Sequence, residues 1–407
     1  MQTNIFLKHS HVLDHIRRKK LVMPLMVGID LHDVCNFSCV HCYVKYKFGE
    51  GSKGLSLIEL KKLFRDLADY GVLSLNLTGG EALARKDLLE VISYAKECGL
   101  YCCLRSNAFL LNANRLQELC DLGLDEMVVS IYGMNNKEYE AVTGRANAWS
   151  LIKESIERAA KTSLNLRLRF VALRQNYKSI GLYSKWAIGL GLDHEHRYVT
   201  WDIYPDNKGN MITAEQRIPD ELMGDFLSLL QENDPELYCN MFPEEHTFKM
   251  CSVGRNLVHI DAEGNVHPCP NFPLAVGNIR EQSFEEIWEE SPELKWIREI
   301  KKEDLACSDC DNRNSCYQRC IGAFYTWSAG KTWTESSPQY CSSKHSVAEY
   351  VKGGSVSNTS SGTSHTQQND DSLSSHFANN NNNAIRTPSQ NINQLSSGCG
   401  TCKGCSC

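Results

Sequence analysis

The chain has 407 residues, 42% of them hydrophobic and 23% charged, with a formal net charge of -6. That length suits one large domain plus a smaller one, folded as ordinary globules. The charge gives no basis for nucleic acid as a main partner, and without a run of about eighteen apolar residues no membrane-spanning helix is expected.

Residues 1–24 read as an N-terminal extension. They lack the charged-then-apolar order of a secretory signal, so a cytoplasmic location is expected. From 25 to 215 apolar strands alternate with amphipathic helices. Predicted strands are Leu25–Asp30, Val72–Leu77, Tyr101–Arg105, Glu126–Ile131, Leu164–Val171 and Tyr198–Ile203. Predicted helices include Leu57–Tyr70, Lys86–Cys98, Asn114–Leu122 and Trp149–Lys161. Short apolar strands between helices suit a parallel sheet covered on both faces, so the fold class is α/β. Six such units are fewer than the eight of a closed barrel. A partial (β/α)6 barrel is expected, with active groups at the carboxyl ends of its strands.

Residues 216–250 form a connecting region with a predicted helix at Asp220–Glu232. Residues 251–350 read as a small cysteine-rich domain with one clear helix, Ser283–Lys301. In 351–407 Ser and Asn dominate, and too little apolar surface remains to offset ordering entropy. This stretch is expected to be a disordered tail ending in a cysteine-rich motif.

The 19 cysteines are the anomaly. In a chain of this size without a secretory signal, clustered cysteines point to metal or catalysis. Cys35, Cys39 and Cys42 follow the first predicted strand. Three thiolates this close can hold three corners of a [4Fe–4S] cluster and leave one iron open. Zinc would want a fourth protein ligand, and His41, beside Cys42, is strained for that role. Thr78-Gly79-Gly80-Glu81 ends the second strand. Its glycines let a ligand approach the backbone, and its glutamate can accept bonds from an ammonium group. A second set comprises Cys251, Cys269, Cys307, Cys310, Cys316, Cys320 and Cys341, for which a zinc ribbon is one reading.

The Cys35, Cys39, Cys42 triplet and Gly79-Gly80-Glu81 make the chain resemble the radical S-adenosylmethionine (SAM) superfamily over roughly residues 22–205. The resemblance implies a [4Fe–4S] cluster on the triplet, with the methionine part of SAM on the open iron. Glu81 would hold the amino group, and the backbone of His41 would meet the adenine. Ser106 and Asn107 match the polar pair ending the third strand. Ser130 matches a ribose-contacting serine, and Arg167 or Arg169 could pair with the methionine carboxylate. The implied chemistry is reductive cleavage of SAM to a 5′-deoxyadenosyl radical, which removes hydrogen from a substrate.

The later cysteines resemble the SPASM domain, which usually holds two auxiliary [4Fe–4S] clusters. Carried over, Cys251, Cys269 and Cys320 would hold the first, and Cys307, Cys310, Cys316 and Cys341 the second. Cys239 or an open iron would complete the first. The expected function is maturation of a peptide or protein by cross-linking, thioether formation or epimerisation. Formylglycine formation as in sulfatase maturases, radical modification of a small molecule, and a non-catalytic metal-binding scaffold are the alternatives. Pro270 and Asn271 follow Cys269 where sulfatase maturases carry an aspartate base, which speaks against formylglycine formation. The intact triplet and Gly-Gly-Glu speak against the scaffold. Expected partners are a peptide or protein substrate, an electron donor such as flavodoxin or ferredoxin, and a separate leader-peptide-binding protein. Cys399, Cys402, Cys405 and Cys407 suit a soft metal, thiol exchange, a substrate-like peptide or no specific role. Cys98, Cys102, Cys103 and Cys120 read as small apolar residues.

Overall fold

The structure is a computed structural model that describes residues 22–44, 54–206, 209–242, 253–312, 316, 320–332, 334–335 and 337–351. Cys251, the four tail cysteines and the expectation of disorder after Val351 lie outside the described residues. Those described belong to one compact unit, Met1–Ser357.

Six strands occur where the apolar runs mark them: β1 (Met26–Asp30), β2 (Ser74–Thr78), β3 (Tyr101–Ser106), β4 (Glu126–Ile131), β5 (Leu166–Val171) and β6 (Arg197–Thr200). They pair in chain order and all in parallel. The crossovers contain α1 (Leu57–Tyr70), α2 (Leu88–Glu97), α3 (Ala113–Asp121), α4 (Asn136–Thr143), α5 (Ala148–Ala159) and α6 (Ile180–Gly189). The α1 start shows why helices begin where they do. Ser56 accepts from the Glu59 amide, and the Glu59 side chain reaches back to the Ser56 amide.

Alternation along the strands separates two environments. Val27, Ile29, Leu75, Leu77, Leu104, Met127, Val129, Leu166, Leu168 and Phe170 join the core under the helices. Gly28, Asp30, Arg105, Ser130, Arg167 and Arg169 occupy the alternate positions and face the concave lumen.

The sheet continues beyond the six strands. β7 (Leu257–Ile260) adds in parallel to the free edge of β1, and β8 (Asn265–His267) and β9 (Gly277–Asn278) follow antiparallel. The order among the described residues is β6-β5-β4-β3-β2-β1-β7-β8-β9. The cysteine-rich region therefore shares its sheet with the barrel. An unpaired edge at β1 is a liability that β7 removes, while Val258 and Ile260 extend the same core.

The helical region between barrel and hairpin holds α7 (Met223–Asn233), opened by a 3-10 turn at Asp220–Leu222, and α8 (Pro235–Met241). The single helix expected at Ser283–Lys301 is two, α9 (Phe284–Glu290) and α10 (Pro292–Glu299). Pro292 forces the break, because it lacks an N–H and pushes the preceding residue out of helical geometry. Ser291 accordingly has ψ 121 and caps α10 by accepting from the Leu294 amide. α11 (Ile321–Trp327) and α12 (Pro338–Val351) complete the described chain. Among the described residues, no helix is long and apolar enough to cross a membrane.

Candidate active site

The loop after β1 carries Cys35, Cys39 and Cys42 and is pinned from two sides. Gly80 and Glu81 donate their amides to the His32 and Val34 carbonyls at 2.8 and 2.9 Å. Ser38 and Val40 donate theirs to Thr143 and Val142, both at 2.9 Å. The glycines of the second motif serve this docking. A Cβ at Gly80 would lie 2.1 Å from the Val34 oxygen, and one at Gly79, where φ is +125°, 2.5 Å from the His32 oxygen. The closest backbone they admit is that of the cysteine loop itself.

Glu81 is only 2% exposed. Its Oε1 accepts from the Ser106 hydroxyl at 2.6 Å and the Leu83 amide at 3.0 Å, and its Oε2 from the Asn107 amide at 2.8 Å. Burial pushes the carboxyl's pKa up against these donors. Three of about four lone-pair positions are filled, which leaves one for an ammonium group. Asn107 also donates through Nδ2 to Asn36, beside Cys35, at 2.8 Å. Ser106, Asn107 and Glu81 thus form one network that locks the ends of β2 and β3 to the cysteine loop.

The three thiols lie within one another's field, and burial raises all of them: Cys35 to about 11, Cys42 to about 12, and Cys39 well above its usual value. Protons stay on such thiols until a strong positive charge displaces them, and bound iron supplies that charge. The donor set therefore fits an iron–sulfur cluster. Among the described residues no three His, Cys, Asp or Glu side chains are grouped to hold a single metal ion. A [4Fe–4S] cube would take the three thiolates on three different irons, so the trio need not converge on one point. His41 is neutral, its pKa pushed down to about 4 by burial. Its ring centroid lies 5.2 Å from that of Tyr132, and its buried Nδ1 has no hydrogen-bond partner.

Ser130 meets the Tyr132 phenol and sits in register with Arg169. The two β5 arginines differ. Arg167 reaches Glu126 at 3.5 Å, toward the amino ends of the strands, whereas Arg169 lies one pleat nearer the carboxyl ends. Both guanidiniums lie over the Tyr198 ring, at 5.7 and 5.5 Å from its centroid. Sequence reasoning missed several neighbours. Arg145 follows the Thr143-Gly144 turn and lies 4.8 Å over the Phe109 ring. His259 on β7 faces Asp30 on β1, with Nε2 3.1 Å from Oδ2. Gly28, opposite His259 in register, leaves room for that ring. Only the β1–β7 pairing reveals that relationship.

Of the second set, Cys269 and Cys320 are buried in an apolar cluster with Tyr204, Phe272, Phe324 and Tyr340. The Tyr204 phenol feels both thiols, and that of Tyr340 feels Cys320 and Cys316. The Cys320 sulfur accepts from the Ala323 amide at 3.3 Å at the start of α11. Cys310 closes a turn on the Cys307 carbonyl, and its sulfur lies 3.6 Å from Nε2 of His345, one helical turn after Cys341 on α12. His345 is a further neighbour that the cysteine spacing could not disclose. Cys239 is exposed on α8. The phenol of Tyr43, a half-buried residue, has Asp30, Cys42, Arg105 and Cys269 in its field.

Residues 29–181 match the radical SAM superfamily, and residues 251–311 match SPASM, an iron–sulfur cluster-binding domain. With this fold and this cysteine loop, the chain belongs to the radical SAM superfamily and is an enzyme. It is a SPASM-containing member, whose cofactors are a [4Fe–4S] cluster, SAM and auxiliary iron–sulfur clusters. It is 24% identical over 319 residues to an AdoMet-dependent heme synthase of Methanosarcina barkeri, covering 72% of this chain and 90% of that one. It is 27% identical over 316 residues to a PqqA peptide cyclase of Bradyrhizobium diazoefficiens, covering 73% and 81%. Among solved structures, Streptococcus suis SuiB bound to precursor peptide SuiA aligns with a TM-score of 0.61 at 15% identity, over 83% of this chain and 82% of that one. Native anSMEcpe with bound AdoMet and Cp18Cys peptide also reaches 0.61, at 17% identity, over 81% and 97%. At these identities the structural likeness speaks for the fold.

Proposed function

We propose that this enzyme matures a peptide, forming a cross-link, a thioether or an epimerised centre. The observation that carries the reading is the shared sheet: β7 of the cysteine-rich region pairs along β1, the strand that leads into the cysteine loop. The cysteine loop and the later cysteines are thus carried on one sheet, which suits a peptide segment acted on by both. The PqqA peptide cyclase relatives and the fold shared with peptide-bound SuiB support the same reading.

Cys35, Cys39 and Cys42 would hold the reactive cluster, and SAM would lie against Gly79, Gly80, Glu81, the His41 backbone, Ser106, Asn107 and Ser130. When bound, these cofactors supply a 5′-deoxyadenosyl radical that takes a hydrogen atom from the substrate. The chain's own residues orient and shield. The Glu81 network holds the cysteine loop at the ends of β2 and β3, and the apolar helix layer keeps water from the lumen behind it. Cys251, Cys269 and Cys320 would hold one auxiliary cluster, completed by Cys239 or by a substrate group. Cys307, Cys310, Cys316 and Cys341 would hold the other. An electron donor such as flavodoxin or ferredoxin and a separate leader-peptide-binding protein belong to this reading. So does a cytoplasmic location, where thiols stay reduced.

Co-expression with the small peptides encoded beside the gene, followed by weighing each peptide, tests it. Loss of about two hydrogens marks a cross-link or thioether, and uptake of one solvent deuterium marks epimerisation. If SAM is cleaved while every such peptide keeps its mass and its hydrogens, the reading fails.

A further inference from the structure

Among the described residues, the lumen-facing positions of β3, β4 and β5 hold three arginines against one carboxylate, Glu126. Arg105 on β3 and Arg167 and Arg169 on β5 all occupy lumen-facing positions. Arg167 has Glu126 at 3.5 Å. Among the described residues, no carboxylate comes within ion-pair range of Arg105 or Arg169. The buried Nε of Arg169 has no hydrogen-bond partner. The remaining lumen acid on β1, Asp30, faces His259 at 3.1 Å. Arg105 is in register with Val128 and through it with Arg167, one pleat from Arg169, and burial and then repulsion from Arg105 lower the pKa of Arg169. Both side chains are half-buried, and partly desolvated guanidiniums without a carboxylate favour an anion beside them.

We propose that Arg105 and Arg169 form a seat in the lumen for the carboxylate of an aspartate or glutamate side chain in the substrate peptide. The inference rests on the peptide-maturation reading and adds that the segment brought to the radical is acidic. Guanidinium groups suit this task because they grip a carboxylate through paired N–H donors. The position suits it as well. Arg105 immediately precedes Ser106, the Glu81 partner that ends β3, so the seat lies at the carboxyl end of the sheet beside the cysteine loop. Tyr198, 5.5 Å beneath the Arg169 guanidinium, supports it from below.

A carboxylate could also come from the methionine part of SAM, which Arg169 was expected to meet, and the experiment separates the sources. The probes are N-acetyl-glutamate methylamide and its glutamine counterpart, titrated into anaerobically reconstituted holoenzyme saturated with SAM. The glutamate probe should bind saturably and the glutamine probe at least tenfold more weakly. Arg105→Gln should weaken the glutamate probe at least tenfold while changing SAM affinity less than threefold, with iron content and melting temperature as controls of folding. Equal binding of the two probes to the wild-type enzyme overturns the seat and needs no variant. A glutamate probe that binds only without SAM, with SAM affinity falling tenfold in Arg105→Gln, assigns the arginines to methionine and also overturns it. Probe binding involves no turnover, so the seat can fail while peptide maturation stands, and the reverse.

Discussion

The Ser106 hydroxyl donates to the Glu81 carboxylate at 2.6 Å, and this bond ties the end of β3 to the loop that follows β2. Through Glu81 and Val34 the tie reaches the segment leading into Cys35. The glutamate of the second motif is thus a buried support for the cysteine loop that keeps one acceptor position open. Glu81→Ala should cost about 1–3 kcal/mol for each buried donor left unpaired, and Ser106→Ala only about 1 kcal/mol. Urea unfolding of the two apo variants measures the difference. Equal losses would mean that Glu81 supports nothing beyond that one hydroxyl.

Removing single cysteines separates the two groups. Cys39→Ser should lower iron from about twelve to about eight per chain and abolish SAM cleavage. Cys320→Ser should lower iron similarly yet leave dithionite-driven SAM cleavage in place. Iron, acid-labile sulfide and 5′-deoxyadenosine are the readouts. Loss of SAM cleavage in a well-folded Cys320→Ser would tie that cysteine to the first cluster.

Gly28 is a packing requirement of the β1–β7 junction. A Cβ there would sit 2.6 Å from Nδ1 of His259. Gly28→Ala should destabilise by about 1–3 kcal/mol through overpacking. Much of that should return in Gly28→Ala combined with His259→Ala, because the clash partner is gone. A double-mutant cycle measured by denaturation gives the coupling, and strict additivity would show that the two side chains do not compete for space.

Arg197 and Asp234 form a buried ion pair at the β6 edge, with Nε 2.8 Å from Oδ2 and the carboxylate side chain only 1% exposed. Asp234 also caps α8 by accepting from the Leu237 amide at 3.1 Å. Asp234→Ala should cost about 3–5 kcal/mol, since it removes the buried carboxylate and leaves the buried guanidinium only the exposed Glu236 as a charged partner. Glu236→Ala, which removes an exposed partner of the same arginine, should cost far less. Comparable losses in urea titrations would contradict the burial argument.

Arg280 and Ser56 hold the Glu59 carboxyl down at about 2, against 4.5 ordinarily. A carboxyl lowered on folding adds stability above its unfolded pKa, and that gain disappears as pH falls from about 4.5 toward 2. The pair joins α1 to the turn after β9 and is partly exposed, so its effect is modest and falls with salt. Melting temperatures of wild-type and Glu59→Gln apo protein should differ at pH 7 and converge as the pH falls from about 5 toward 2. A constant gap across that range would mean that the charge contributes nothing.

The sequence by itself determined the six parallel strands and their order, because each is a short apolar run bounded by turns and followed by an amphipathic helix. It also determined the cysteine triplet and Gly-Gly-Glu, whose residue types carry their chemistry at fixed local spacing. Glu126–Ile131 was legible to the residue. Short-range pattern could not show that β7 closes the edge of β1, since four residues after a cysteine loop carry no helix-crossover signature. The split of Ser283–Lys301 was legible at Pro292 and was overridden by the apolar period on either side of it. Only the tertiary structure decided that Gly28 faces His259, that Glu126 claims Arg167 but not Arg169, and that Arg105 joins Arg169 in the lumen. Such relations connect residues 40 to 230 positions apart, and they arise when a twisted sheet turns alternate side chains of distant strands into one concave space.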